Sequence, residues 1–175
     1  MILNNNYIKP CKSTLGGIKE FYLAPYTKWT KSQVSILDIE LVSMPSTFFY
    51  KFDVNGTYNQ DSDAENGAVF FNQSIEFAIQ SPEYYTLFSA LNFTKQYYRV
   101  IAKTNNGQYI IFGTYNGLEA KMTNASGSAK AEFNGFTVSF SGKEKDTAYL
   151  ISNLEDANII IVDDEMFNYD LNLDL

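Results

Sequence analysis

The 175-residue chain contains no histidine. Imidazole titrates near neutral pH and is the commonest metal ligand, so its absence removes Ser-His-Asp and Cys-His nucleophiles and every His-ligated metal centre. Cysteine occurs once, as Cys11, which excludes an intrachain disulfide and a thiolate zinc cluster. With no imidazole to activate it, Cys11 reads as an incidental or structural thiol. Long apolar runs are also missing. Nothing approaches the roughly 18 residues of a membrane span. The opening MILNNNYIKP lacks the basic region and apolar stretch of a secretory signal. The expectation is a chain made in a cytoplasm, with no membrane partner.

Basic residues are few. Lys and Arg number 13 against 20 acids, a net charge of −7, and Arg99 is the lone arginine. Lys145 is the last basic residue; Glu155, Asp156, Asp163, Asp164, Glu165, Asp170 and Asp174 follow it. The C-terminal segment therefore carries the whole net charge. No basic patch grips phosphates, so specific nucleic-acid binding is not expected, although an acidic surface can face DNA as a non-sticking wall.

Aromatic residues are abundant, at 14 Phe, 13 Tyr and one Trp. With 45% hydrophobic and 19% charged residues, the chain is long enough and apolar enough to bury one core. Half of the ten glycines follow an asparagine, at Asn55-Gly56, Asn66-Gly67, Asn106-Gly107, Asn116-Gly117 and Asn134-Gly135. Asn-Gly fits a type I′ turn because both residues tolerate positive φ. The runs between these turns read as strands: 18–26, 34–44, 47–54, 68–79, 98–103 and 108–115 as a hairpin, then 117–123, 129–133, 136–141, 147–152 and 158–162. Within 34–44, Leu37, Ile39 and Leu41 form the expected core face and Asp38 and Glu40 the other. Thr57–Asn66 is polar and aperiodic and reads as an exposed loop. Ser81, Pro82 and Glu83 begin a helix whose apolar positions are Tyr84, Leu87, Phe88 and Leu91, ending near Thr94. The fold class expected is mainly β: an antiparallel β-sandwich or open β-barrel with one flanking α-helix, as a single domain over 1–166.

Residues 167–175 stand apart. Phe167, Tyr169, Leu171, Leu173 and Leu175 alternate with Asn168, Asp170, Asn172 and Asp174, which puts five apolar side chains on one face of a strand. They are the candidate assembly residues, either as the last strand of the chain's own sheet or as an arm for a neighbour's sheet edge.

Chemical sites are sparse. Asp61, Asp63 and Glu65 are spaced like part of a calcium loop, but the sixth and twelfth positions are Asn66 and Asn72 where an EF-hand needs Gly and Glu, so a solvated loop is the reading. Asp38 with Glu40, and Asp163, Asp164 and Glu165, are the available carboxylate groups for a glycosidase. A polar strand face and a solvated strand end account for them more simply. Gly16-Gly17 precedes a strand and is no phosphate loop. No catalytic residue, cofactor or metal is expected. Phe48, Phe49, Tyr50, Phe52, Tyr97 and Tyr98 read as core or interface, with carbohydrate contact as the alternative.

Two segments resemble a known family. One runs from Cys11 to Tyr26 and includes Gly16-Gly17-Ile18-Lys19-Glu20-Phe21-Tyr22-Leu23-Ala24. The other, Gly107 to Ile151, sets Gly113-Thr114-Tyr115-Asn116-Gly117-Leu118-Glu119-Ala120 before Asn134-Gly135-Phe136-Thr137-Val138-Ser139-Phe140-Ser141-Gly142-Lys143-Glu144. These resemble the tail-tube-like and tail-ring proteins of bacteriophages, particularly of crAss-like phages. The resemblance implies a β-sandwich or barrel with a flanking helix, built into rings around a DNA channel, with no catalytic residues. It implies a homo-oligomer of six or twelve copies, neighbouring tail or portal-connecting proteins as partners, and a place in the virion tail. The alternative from the aromatic content is a carbohydrate- or receptor-binding β-sandwich module.

Overall fold

The computed structural model describes residues 16–80, 94–125 and 135–162. In chain order the elements are β1 (Ile18–Pro25), a 3-10 turn (Lys31–Gln33), β2 (Ser35–Leu37), β3 (Glu40–Ser43), β4 (Thr47–Phe52), β5 (Gly56–Glu65), β6 (Ala68–Gln80), β7 (Tyr97–Thr104), β8 (Tyr109–Phe112), β9 (Leu118–Ala125), β10 (Gly135–Glu144), β11 (Tyr149–Ile151) and β12 (Ile159–Val162). The expected helix begins at Ser81 and lies, apart from its end at Thr94, outside the described residues, as do the strand over 129–133, Cys11, Asp163, Asp164, Glu165 and the 167–175 segment.

The mainly β architecture is present, and the strands close on themselves. β1, β5, β6, β10, β9 and β7 form a six-stranded antiparallel barrel, sealed by the pairing of β1 with β7. A second, open sheet shares that central pair, in the order β12-β4-β1-β7-β8-β11-β3-β2. Two of its pairings are parallel, β12 with β4 and β11 with β3. The shared strands are apolar on both faces because each face meets a different core. Phe21, Leu23, Val100 and Ala102 point into the barrel, where Phe77, Phe112, Val138 and Phe140 join them. Tyr22, Ala24 and Ile101 point the other way, onto Trp29, Leu41, Phe49, Ile111 and Ile159. Each large apolar side chain so enclosed stabilises the fold by about 1.5–3 kcal/mol.

The barrel closes at a glycine. Ile18 pairs with Gly56, and a Cβ added to Gly56 would stand 2.4 Å from the Glu76 carbonyl oxygen and 2.7 Å from the Phe21 ring. A side chain there has no space, so the first residue of β5 has none.

Two expectations need correction. The polar run after Gly56 is not a loop. It is β5, which pairs with β6 from Gly56↔Phe77 to Glu65↔Ala68. The two strands project as a long hairpin turned by Asn66 (φ 51°) and Gly67 (φ 82°), as Asn-Gly allows. Residues 61–64 and 66–69 are exposed on both faces, so no apolar alternation marks them as strand. The run 34–44 is not one strand either. Asp38 adopts φ 56° and turns the chain between β2 and β3. Leu41 is buried as expected, but Leu37 and Ile39 stand 67% and 56% exposed. The alternating pattern continues through the turn and conceals it.

Candidate functional site

Several buried side chains hold the turn from Gly113 to Gly117, between β8 and β9. Arg99, on β7, is fully buried among the second core. Its Nε donates to the Thr114 carbonyl at 3.0 Å, and its terminal nitrogens donate to the Thr27 carbonyl at 2.5 Å and the Thr27 hydroxyl at 3.5 Å. The guanidinium carbon lies 3.2 Å from the centroid of Trp29 and 4.6 Å from that of Tyr26. The sole arginine therefore rests on the sole tryptophan, a cation–π contact made strong by exclusion of water.

Glu144, at the end of β10, holds the same turn and is 2% exposed. Its Oε1 accepts from the backbone N–H groups of Tyr115 at 3.1 Å and Asn116 at 2.8 Å. Its Oε2 is buried with no hydrogen-bond partner among the described residues. Burial pushes the Glu144 carboxyl above the usual carboxylate range, against the opposing pull of the Asn116, Tyr115 and Gly117 amides and of the Arg99 charge. Burial also lowers Arg99 to about 10, partly offset by Tyr26 and Glu144. Tyr26 completes the grip by donating its hydroxyl to the Tyr115 carbonyl.

A neutral amide relay ties this turn to the barrel. Gln73 accepts from the Gly113 N–H at 2.9 Å and donates to Gln60 at 3.2 Å. Gln60 in turn accepts from Ala148 N–H at 2.8 Å and donates to the Thr147 hydroxyl at 2.7 Å. Side chains from β6, β7 and β10 thus converge on one reversal of the chain, and Gln60 of β5 links it to the segment before β11. Neither Arg99 nor Glu144 is reachable by a substrate, so this arrangement can anchor the join between barrel and open sheet but cannot present either group to a reactant.

The sequence-selected residues are dispersed. Asp38 lies at the tip of the β2–β3 turn and Glu40 in β3, so they are not neighbours on one strand face as read above. Asp61 and Asp63 lie along the exposed β5 hairpin, opposite Asn72 and Phe70. Among the described residues no three His, Cys, Asp or Glu side chains group to hold a metal ion. No described helix is long and apolar enough to cross a membrane. Of the selected aromatics, Phe49 is fully buried and Tyr98 lies in the barrel core, whereas Phe48 is 57% exposed. A shallow depression of about 260 Å³ lies over β5, β6 and β10, with Tyr58, Asn59, Glu76 and Ser139 on its walls.

The open sheet ends on two unusual edges. Among the described residues nothing pairs with the free side of β12 or of β2. β12 is Ile-Ile-Ile-Val, four β-branched apolar residues in succession. Its Ile160 pairs with Phe48 of β4, and both are exposed. At the other edge Leu37, Ile39 and Val42 are exposed together. Arg99 and Glu144 were missed as a pair by sequence reasoning. The signal for Arg99 was a single arginine within the apolar run of β7; Glu144 sits between two lysines and had none.

No protein-family model, curated protein or solved structure matches the chain.

Proposed function

We propose that the chain is a structural protein of a bacteriophage tail, a subunit that joins copies of itself into a ring or tube around the DNA channel. The observation that carries the assembly is the pair of open, apolar edges. Monomeric sheet proteins blunt their edges with lysine, proline or a covering loop. β12 carries no lysine or proline, and β2–β3 exposes three large apolar side chains. Pairing between two different edges of identical chains is a head-to-tail contact, which closes into a ring or continues as a tube. The projecting β5–β6 hairpin offers a further contact for a neighbour. The sequence resemblance supplies the phage tail, the six or twelve copies and the partners along the tail. In this reading the protein has no catalytic role, is made in the host cytoplasm and ends in the virion. An acidic chain lets DNA pass without gripping its phosphates.

The test places a lysine on each edge in turn. Ile160→Lys or Leu37→Lys should leave the far-UV spectrum and melting unchanged while sedimentation shifts from an assembly to a monomer. If both variants sediment as the parent does, the edges are not the interface.

A carbohydrate-binding reading has one observation in its favour, Tyr58 exposed at the depression on the barrel wall. The Tyr58 ring, however, already packs 5.2 Å from Phe112. Glycan-array binding that Tyr58→Ala abolishes would establish it.

A further inference from the structure

We propose that the β2 edge receives residues 167–175 of a second copy as an added strand. The inference rests on the assembly proposed above and names the partner of one edge. Val34 (φ −117°, ψ 124°) continues the extended backbone of β2, whose outer side pairs with no strand among the described residues. Ile36 of β2 is half-buried and packs against the second core, which leaves that core with an unfinished margin at this strand.

Part of the 167–175 pattern fits the margin. Val34 and the three residues of β2 set the length an added strand can pair with, so two of the apolar side chains among Phe167, Tyr169, Leu171, Leu173 and Leu175 would lie beside Val34 and Ile36, and the intervening polar side chains among Asn168, Asp170, Asn172 and Asp174 would lie on the face of Ser35. Charge selects this edge over β12. Lys28 and Lys31, both exposed, precede β2. Glu155 and Asp156 precede β12, and Asp163, Asp164 and Glu165 follow it in the sequence. An acidic segment is drawn to the first and repelled by the second. Asp38 and Glu40 lie at the far end of the β2–β3 hairpin, so attraction is concentrated at the start of β2. In a head-to-tail array the β12 side of one copy meets the β2 side of the next, which delivers the segment leaving β12 to its neighbour.

The test uses the full chain with Cys11→Ser, since Cys11 is the sole cysteine. One tagged chain carries Ser35→Cys. A second, differently tagged, carries Asn168→Cys, Asp170→Cys or Asn172→Cys. Adjacent strands place such residues within disulfide reach. The expected result is a heterodisulfide between the two tags on mild oxidation, and its loss when Ile160→Cys replaces Ser35→Cys. A disulfide seen only within one chain carrying both cysteines overturns the proposal, because the segment then closes its own sheet. Assemblies that form without any crosslink overturn it while leaving the proposed function standing. A monomer with no crosslink overturns both.

Discussion

Replacing Arg99 with lysine keeps the positive charge and removes the planar fork. The guanidinium serves two carbonyls from opposite ends, that of buried Thr114 at 3.0 Å and that of exposed Thr27 at 2.5 Å. An ammonium on a single stem cannot hold both. Leaving the buried Thr114 carbonyl without a donor costs about 1–3 kcal/mol. Loss of the stack on Trp29 costs about 1–2 kcal/mol more. The sum is about 3 kcal/mol, a large part of the 5–15 kcal/mol that holds a domain together. For a chain of this length that lowers Tm by about 6–12 °C. Trp29 is the only tryptophan, so its emission reports the site directly in a denaturant titration. Arg99→Lys should lower the midpoint and shift the native emission. A variant that melts within about 1 °C of the parent, with unchanged emission, would refute the assignment of Arg99 as the anchor of this join.

Gly56→Ala should destabilise by about 2–4 kcal/mol, since its Cβ meets backbone where β1 and β5 close the barrel; calorimetry showing less than about 0.5 kcal/mol would place the closure elsewhere. Glu144→Gln tests the buried carboxyl. A carboxyl whose folded pKa is raised stabilises most below its unfolded value, near 4.5, and loses that contribution as pH climbs through the folded value. The glutamine keeps the acceptor for Tyr115 and Asn116 without the charge. Its stability relative to the parent should therefore improve as pH rises above the unfolded value and level off once the folded carboxyl has ionised, read by urea unfolding, and a pH-independent difference would contradict this. Glu20 titrates in the opposite sense. Burial raises it, but hydrogen bonds from Tyr22 at 2.6 Å and Lys103 at 3.2 Å, with the charges of Lys103 and Lys51, bring it below the usual range. A lowered carboxylate stabilises above its unfolded pKa and loses that contribution as pH falls. Glu20→Gln should therefore cost stability at neutral pH and little in acid, measured by the same titration.

Much of the fold was legible because local chemistry and global packing agree at those places. Asn66-Gly67 makes the expected turn with both residues at positive φ, and the 98–103 and 108–115 runs pair as β7 and β8. What was hidden was non-local. β5 lacks alternation because its hairpin is solvated on both faces. The turn at Asp38 carries no glycine, and the period of two runs through it. β1 and β7 show apolar residues on consecutive positions, which marks strands buried on both sides. That pattern does not reveal that the two faces serve separate cores. Glu144 looks like any residue of a polar run until β10 is placed against the Gly113–Gly117 turn. The edges became visible only with the strand order, since Ile159–Val162 reads equally well as a central strand.

The central claim is that identical chains join through their sheet edges into a closed or continuous assembly. Native mass spectrometry of the purified chain, with electron microscopy of the same sample, measures this directly. The account predicts a discrete mass at six or twelve times that of the chain, or an open tube, with annular particles in projection. A single-chain mass at every concentration, with no annular particles, would contradict it.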